Sequence, residues 1–228
     1  MTWNIAHRGA SGLEPENTLR SFRRAEEEAA DALELDLRVT RDGHLVVLHD
    51  PTVNRTTNGT GPVHELTLAE VRRLDGGLGE RVPTFGEVLE TTTLPIHAEL
   101  KVLEAAEPLA SVILEEDAAE RVTPISFHSE ALRRVKRVLP DQPVGLVFPG
   151  APPEGAGRAR AVGADFVSLK SVHLDAEAVE RCQRADLKVT AWTVNEPGQM
   201  RRVMEWGAEG IATDRPDLLA GIKSSREP

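Results

Sequence analysis

The chain has 228 residues, 40% of them hydrophobic and 28% charged, a balance that suits an ordinary folded domain and excludes a disordered or fibrous protein. Its formal net charge of -10 opposes binding to DNA, RNA or an anionic lipid surface, all of which need Lys and Arg to displace counterions from phosphates. The single cysteine, Cys182, rules out an intramolecular disulfide and suits a reducing compartment.

The opening MTWNIAHRG enters a strand-like run directly, without the basic and apolar regions of a secretory signal, and no run of 18 apolar residues follows. A cytoplasmic protein is the expectation. From there, short apolar, β-branched runs alternate with longer helical patterns, as in parallel strands joined by crossover helices. In chain order the runs are WNIAH, ALELDLRV, HLVVLH, LPIHAEL, TPISFH, PVGLVF, DFVSL, KVTAWTV and EGIAT. Helices are predicted over 17–30, 104–116, 130–138, 157–162, 175–185 and 197–207, with Asn17 as an N-cap and Pro197 in a first turn. Between Asp36 and Leu45 only LRVTRDGH intervenes, too short for a parallel crossover, which takes about a dozen residues or more. The second and third runs are therefore expected to form an antiparallel hairpin around Arg41, Asp42 and Gly43, leaving eight parallel strands.

That inventory predicts an α/β fold, a TIM-type (β/α)8 barrel with a β-hairpin extension, in a single domain over residues 1–228. Residues 51–93 exceed a usual βα loop and begin with the polar PTVNRTTNGTGP. A small inserted excursion over the active-site face is expected there, with two short helices in LTLAEVRRL and TFGEVLE.

Strand alternation sets Glu34 and Asp36 on one face, and in LPIHAELK it sets His97, Glu99 and Lys101 together. Carboxylates on an inward face are costly unless they are paired or bind a cation. A cation held by Glu34, Asp36 and Glu99 would resolve the cost, and all-oxygen donors favour one hard divalent ion, Mg2+ or Ca2+, over Zn2+. A structural salt-bridge layer with Arg8, Arg38 and Lys101 would resolve it too. A turn near Asp42 sets His49 opposite Asp36, and His7 ends the first strand, on the barrel face where catalytic groups gather. Two histidines in one space supply the base and the acid of phosphodiester cleavage, and Arg8, with Lys101, supplies positive charge for the phosphoryl oxygens. His44, His64, His97, His128 and His173 read individually as structural.

The ordered set HRGASGLEPENTLRSF, ELDLRVTRDGHLVVLHDPTVNRTTNGTG, HAELK and AWTVN resembles the glycerophosphodiester phosphodiesterases, over nearly the whole chain and most densely from His7 to Gly61. The resemblance implies that His7 and His49 are the general acid/base pair, that Glu34, Asp36 and Glu99 hold the divalent cation, and that Arg8 and Lys101 contact phosphate. It further implies that Glu16 and Asn17 support the substrate site and that Trp192 forms an apolar wall beside the glycerol, although a strand tryptophan is ordinarily core. Lys170 and Asn195 fall at strand ends that could face the same space.

The implied reaction is hydrolysis of a glycerophosphodiester to sn-glycerol 3-phosphate and an alcohol such as choline, ethanolamine or glycerol. Water attacks phosphorus directly, or the glycerol 2-hydroxyl attacks first and leaves a cyclic phosphate. The expected partner is that small substrate, with no nucleic acid and no stable membrane association, in a monomer or homodimer. Two rival readings remain. A lysophospholipase D-like or sphingomyelinase D-like enzyme would need an apolar approach surface, and residues 51–93 carry few clustered large apolar side chains. A non-catalytic phosphate-binding barrel would be expected to lack one of the histidines or acids.

Overall fold

The structure is a computed structural model and describes residues 2–150 and 152–225 of the chain. Nine strands form where the apolar runs predict them: β1 (Trp3–His7), β2 (Ala32–Val39), β3 (Leu45–Val47), β4 (Ile96–Leu100), β5 (Val122–Ser126), β6 (Gly145–Phe148), β7 (Phe166–Lys170), β8 (Lys188–Trp192) and β9 (Gly210–Thr213). Each of the eight parallel strands pairs with the next around a closed ring, since β1 pairs with both β9 and β2, and β3 lies antiparallel on β2. This is the TIM-type barrel with its hairpin extension.

Helices α1 (Leu19–Glu27), α2 (Leu68–Val71), α3 (Phe85–Thr91), α4 (Ala106–Glu115), α5 (Ser129–Val138), α6 (Pro152–Ala161), α7 (Ala176–Gln183), α8 (Pro197–Glu205) and α9 (Pro216–Ser224) occupy the intervals. Their apolar stripes face the sheet, as Ala131, Leu132 and Val135 of α5 do. Leu33, Leu35 and Leu37 of β2 pack in the same core beneath the helices, so Glu34 and Asp36 must point the other way, into the barrel.

Several boundaries differ from expectation. Asn17 is not the cap of α1. Its backbone is left-handed (φ 57°) and its amide turns onto Asp36, so Thr18 caps the helix, its hydroxyl receiving the Ser21 N–H at 3.1 Å. α6 begins at Pro152, five residues before the predicted start, and proline is tolerated in a first helical turn. α9 was not predicted; it too opens on a proline, Pro216. Of the two short helices, only α2 belongs to the excursion, whose own small core holds Val53, Val63, Val71 and Val82 against Val46 and Leu48 of the hairpin. α3 packs Phe85, Val88 and Leu89 into the main core and serves as the helix of the β2 crossover.

The hairpin turn does centre on Asp42, with Thr40 N–H bonded to the His44 carbonyl at 3.0 Å. Its register is one residue from the expected one: Leu37 faces Val47 and the Leu48 N–H reaches the Asp36 carbonyl, so Leu48, not His49, lies opposite Asp36. β1 pairs with residues Ala32 to Glu34 and β3 with Leu37 to Val39, while β4 covers the other edge of β2. The rising strand that ends at His7 and the descending strand that leads to His49 therefore meet end to end along one edge of β2.

Below that meeting point the barrel is plugged by Phe166, whose ring stacks on His97 at 5.1 Å. A Cβ at Gly145 would come within 2.2 Å of that ring. Gly145→Ala is accordingly expected to cost about 1–3 kcal/mol by overpacking, read from urea denaturation, and an unchanged midpoint would show that the ring can swing aside.

Candidate active site

Glu34, Asp36 and Glu99 are all buried, and each offers a carboxylate oxygen within 4.8 Å of the others. Sheet register produces this: Asp36 and Glu99 are direct partners across β2 and β4, and Glu34 sits one inward position below Asp36. Two cations face the three acids. Lys101 Nζ lies 2.7 Å from Glu99 Oε1 and 3.3 Å from Asp36 Oδ1, and Arg8 Nε lies 3.2 Å from Asp36 Oδ2. Glu34 accepts the Arg8 backbone N–H at 3.0 Å and, among the described residues, has no guanidinium or ammonium of its own within ion-pair distance.

The electrostatics follow from that count. Burial, and then the charge of Asp36, pushes the Glu34 carboxyl up to about 8, and the same two causes raise Glu99. Burial pushes Asp36 up as well, but Lys101, Arg8, His49 and the Asn17 amide outweigh it and hold this acid below the ordinary range. Asp36 Oδ1 is nevertheless buried without a hydrogen bond, the ammonium 3.3 Å away giving charge but no directed bond. An orphaned carboxylate oxygen, a carboxyl forced toward its neutral form and an all-oxygen donor set fit a hard divalent cation. Of the expected salt-bridge layer, Arg8 and Lys101 do pair with the acids, whereas Arg38 donates its guanidinium to the His49 carbonyl at 2.6 and 2.9 Å.

Both histidines stand at this mouth with one ring nitrogen tied to a carboxylate. His7 Nδ1 is 2.6 Å from Asp214 Oδ1, and its Nε2 is 4.0 Å from Glu34. Asp214 is itself held by the Asn195 amide at 2.6 Å and the Ser11 hydroxyl at 3.0 Å. Burial alone would lower His7, but Asp214 and Glu34 outweigh it and raise the imidazole, while Asp214 is drawn down to about 2, its burial outweighed by those same bonds. His49 Nδ1 is 2.7 Å from Asp50 Oδ1, and burial lowers this imidazole despite Asp36 and Asp50.

Trp192 faces the same space, with its indole N–H on the Ser168 carbonyl (3.0 Å) and the Phe127 ring edge-on at 5.5 Å. With Ile125 and Val147 it makes one side of the pocket apolar, opposite the acids. Glu16 and Asn17 do not line the pocket; Glu16 grips Arg8 at 3.0 Å, and Asn17 is buried behind Asp36 at 2.8 Å. Lys170 is exposed and outside the pocket lining. Sequence reasoning passed over Asp50, Asp214, Ser11, Arg55 and Phe127. Asp50 directly follows His49, and Asp214 directly follows β9, so for those two a signal existed in position alone.

Because Glu34 is raised in the folded state from 4.5 to about 8, the stability its neutral form contributes is present below about pH 4.5 and is lost as pH rises toward 8. In EDTA, the melting temperature of the wild type should fall relative to Glu34→Gln between those limits, and saturating Mg2+ or Ca2+ should remove the difference. Parallel pH profiles in EDTA would contradict the assignment.

Comparison with known proteins agrees with this geometry. The model of the glycerophosphoryl diester phosphodiesterase family matches residues 7–218. A glycerophosphodiester phosphodiesterase of Caldanaerobacter subterraneus is 39% identical over 233 residues, covering 96% of each chain. Among solved structures, a phosphodiesterase of Oleispira antarctica in complex with the product sn-glycerol-3-phosphate superposes with a TM-score of 0.89 at 26% identity, over 96% of both chains. A glycerophosphodiester phosphodiesterase of Agrobacterium tumefaciens gives 0.86 at 27% identity, over 97% of this chain and all of that one. On that matched length and shared barrel, the chain belongs to the glycerophosphoryl diester phosphodiesterase family.

Proposed function

We propose that the chain, as a single domain, hydrolyses glycerophosphodiesters to sn-glycerol 3-phosphate and an alcohol, using His7 and His49 as acid and base and one divalent cation, Mg2+ or Ca2+. The observation that carries the reading is the meeting of two carboxylate-tethered imidazoles with three buried acids at one barrel mouth. The product bound to the Oleispira antarctica relative supports the substrate class.

Glu34, Asp36 and Glu99 would hold the cation, which when bound supplies positive charge to the phosphoryl oxygens. Arg8 and Lys101 border the same pocket and add fixed positive charge for the phosphate. With Nδ1 of each histidine committed to Asp214 or Asp50, Nε2 is the nitrogen left for the substrate. One imidazole accepts the proton of the attacking oxygen as it bonds to phosphorus, and the other protonates the alkoxide that departs. If the glycerol 2-hydroxyl attacks first, the cyclic phosphate is then opened by water with the proton transfers reversed, so that either route consumes one water and divides it between the two products. Trp192, with Phe127 edge-on to it, forms the apolar wall beside the carbon skeleton of the glycerol.

No helix among the described residues is long and apolar enough to cross a membrane. A single cysteine, Cys182, with no second one to form an intramolecular disulfide, supports a cytoplasmic location.

Release of glycerol 3-phosphate from glycerophosphocholine, glycerophosphoethanolamine and glycerophosphoglycerol tests the reading. Activity should vanish in EDTA and return with Mg2+ or Ca2+. His7→Ala and His49→Ala should each stay folded and lose about a hundredfold to ten-thousandfold in kcat. Full turnover in EDTA would sink the cation, and folded variants with wild-type kcat would sink the histidine pair.

A further inference from the structure

Arg55 stands in the excursion, outside the pocket, yet its guanidinium grips two acids at once. Nε and Nη2 donate to Asp50 at 2.7 and 3.0 Å, and Nη1 and Nη2 donate to Glu16 at 2.7 and 2.9 Å. Each of those carboxylates holds a group of the site: Asp50 Oδ1 is 2.7 Å from His49 Nδ1, and Glu16 Oε1 accepts from Arg8 Nη1 at 3.0 Å. A continuous chain thus runs from His49 through Asp50, Arg55 and Glu16 to Arg8. The Asp50 and Glu16 carboxyls both lie below their ordinary range; Arg55 is the first cause at Asp50, and at Glu16 it helps to outweigh burial.

The loop that carries Arg55 does not need this grip to close. The Val53 N–H meets the Gly61 carbonyl at 3.0 Å, the Gly61 N–H meets Asn54 Oδ1 at 2.9 Å, and Val53 is buried in the excursion's own core. What the grip does restrain is Asp50 and Glu16, partly exposed acids that would otherwise choose among rotamers and, left facing each other, would repel. A planar guanidinium with two donor edges can fix both carboxylate planes; a point-like ammonium cannot.

We infer that Arg55 is a positioning residue, which sets His49 and Arg8 in register with one another through Asp50 and Glu16. The inference rests on the two-histidine reading of the site. Misplacing a reacting group by about 1 Å can cost about a hundredfold in rate, so the effect belongs in kcat.

The test is kcat for Arg55→Ala and Arg55→Lys on the substrate that the wild type turns over, with His49→Ala in the same assay. Arg55→Ala should lose about tenfold to a hundredfold in kcat while melting near the wild type. Because the Arg55 side chain is 47% exposed, guanidinium at a sub-denaturing concentration can enter the space left behind. It should restore part of the lost kcat, and ammonium at equal ionic strength should not. Arg55→Lys should remain impaired; if Arg55→Ala fails to fold, this variant carries the test. Wild-type kcat in either folded variant, or a loss that guanidinium does not relieve, overturns the positioning role. If His49→Ala is inactive while Arg55→Ala is not, only this inference falls. An active His49→Ala removes the reading beneath it as well.

Discussion

Everything at the barrel mouth is arranged around one electrostatic problem: three buried carboxylates, Glu34, Asp36 and Glu99, share one space with two fixed cations. Desolvation makes each charge expensive, and proximity makes the third one most expensive of all. The surrounding residues divide the burden unequally. Asp36 takes Arg8, Lys101 and the Asn17 amide and stays ionised, while Glu34 takes a backbone N–H and is driven toward its neutral form. A protein that needed only a stable core would do better with apolar residues in these positions, since a buried ion cluster rarely repays its desolvation. That such a cluster sits at the open end of the barrel, beside two histidines, is what the proposed cation site accounts for.

Topology supplies the second half of the site. A plain barrel would bring His7 to the rim and leave the neighbouring edge of β2 bare above Glu34. The hairpin fills that edge from the opposite direction, and its descending strand leads to His49 beside the same acids. The chain must then travel back to its crossover helix, and the excursion is that return path. Its small apolar core packs against the hairpin, and from it Arg55 reaches back to Glu16.

How much was legible in the sequence depends on how local the cause was. Period-two alternation sets Glu34 with Asp36 on one face and Glu99 with Lys101 on another, and the register of β2 against β4 is what joins the two groups; the short link after Asp36 forces a hairpin because no crossover fits in it. The exact pairing was not legible to one residue, since a turn centred on Asp42 can be read in two adjacent registers, and only the Thr40 to His44 hydrogen bond decides between them. Asn17 looked like a helix cap because its residue type suits one; its tertiary partner, Asp36, lies 19 positions away and claimed the amide instead. Asp214 and Arg55 were missed for the same reason. Their partners His7 and Glu16 are 207 and 39 positions distant, so although the place of Asp214 just after β9 marks it as a rim residue, no local pattern names the group it holds.

The central claim is that the three acids form a cation site whose empty form stores a proton on Glu34. Calorimetric titration of Mg2+ or Ca2+ into EDTA-stripped protein at neutral pH, repeated in buffers of different ionisation enthalpy, measures both the ion and the proton. The account predicts one ion bound per chain with release of about one proton, the release fading as pH rises past about 8. Binding of an ion with no proton released at neutral pH, or no binding at all, would contradict it.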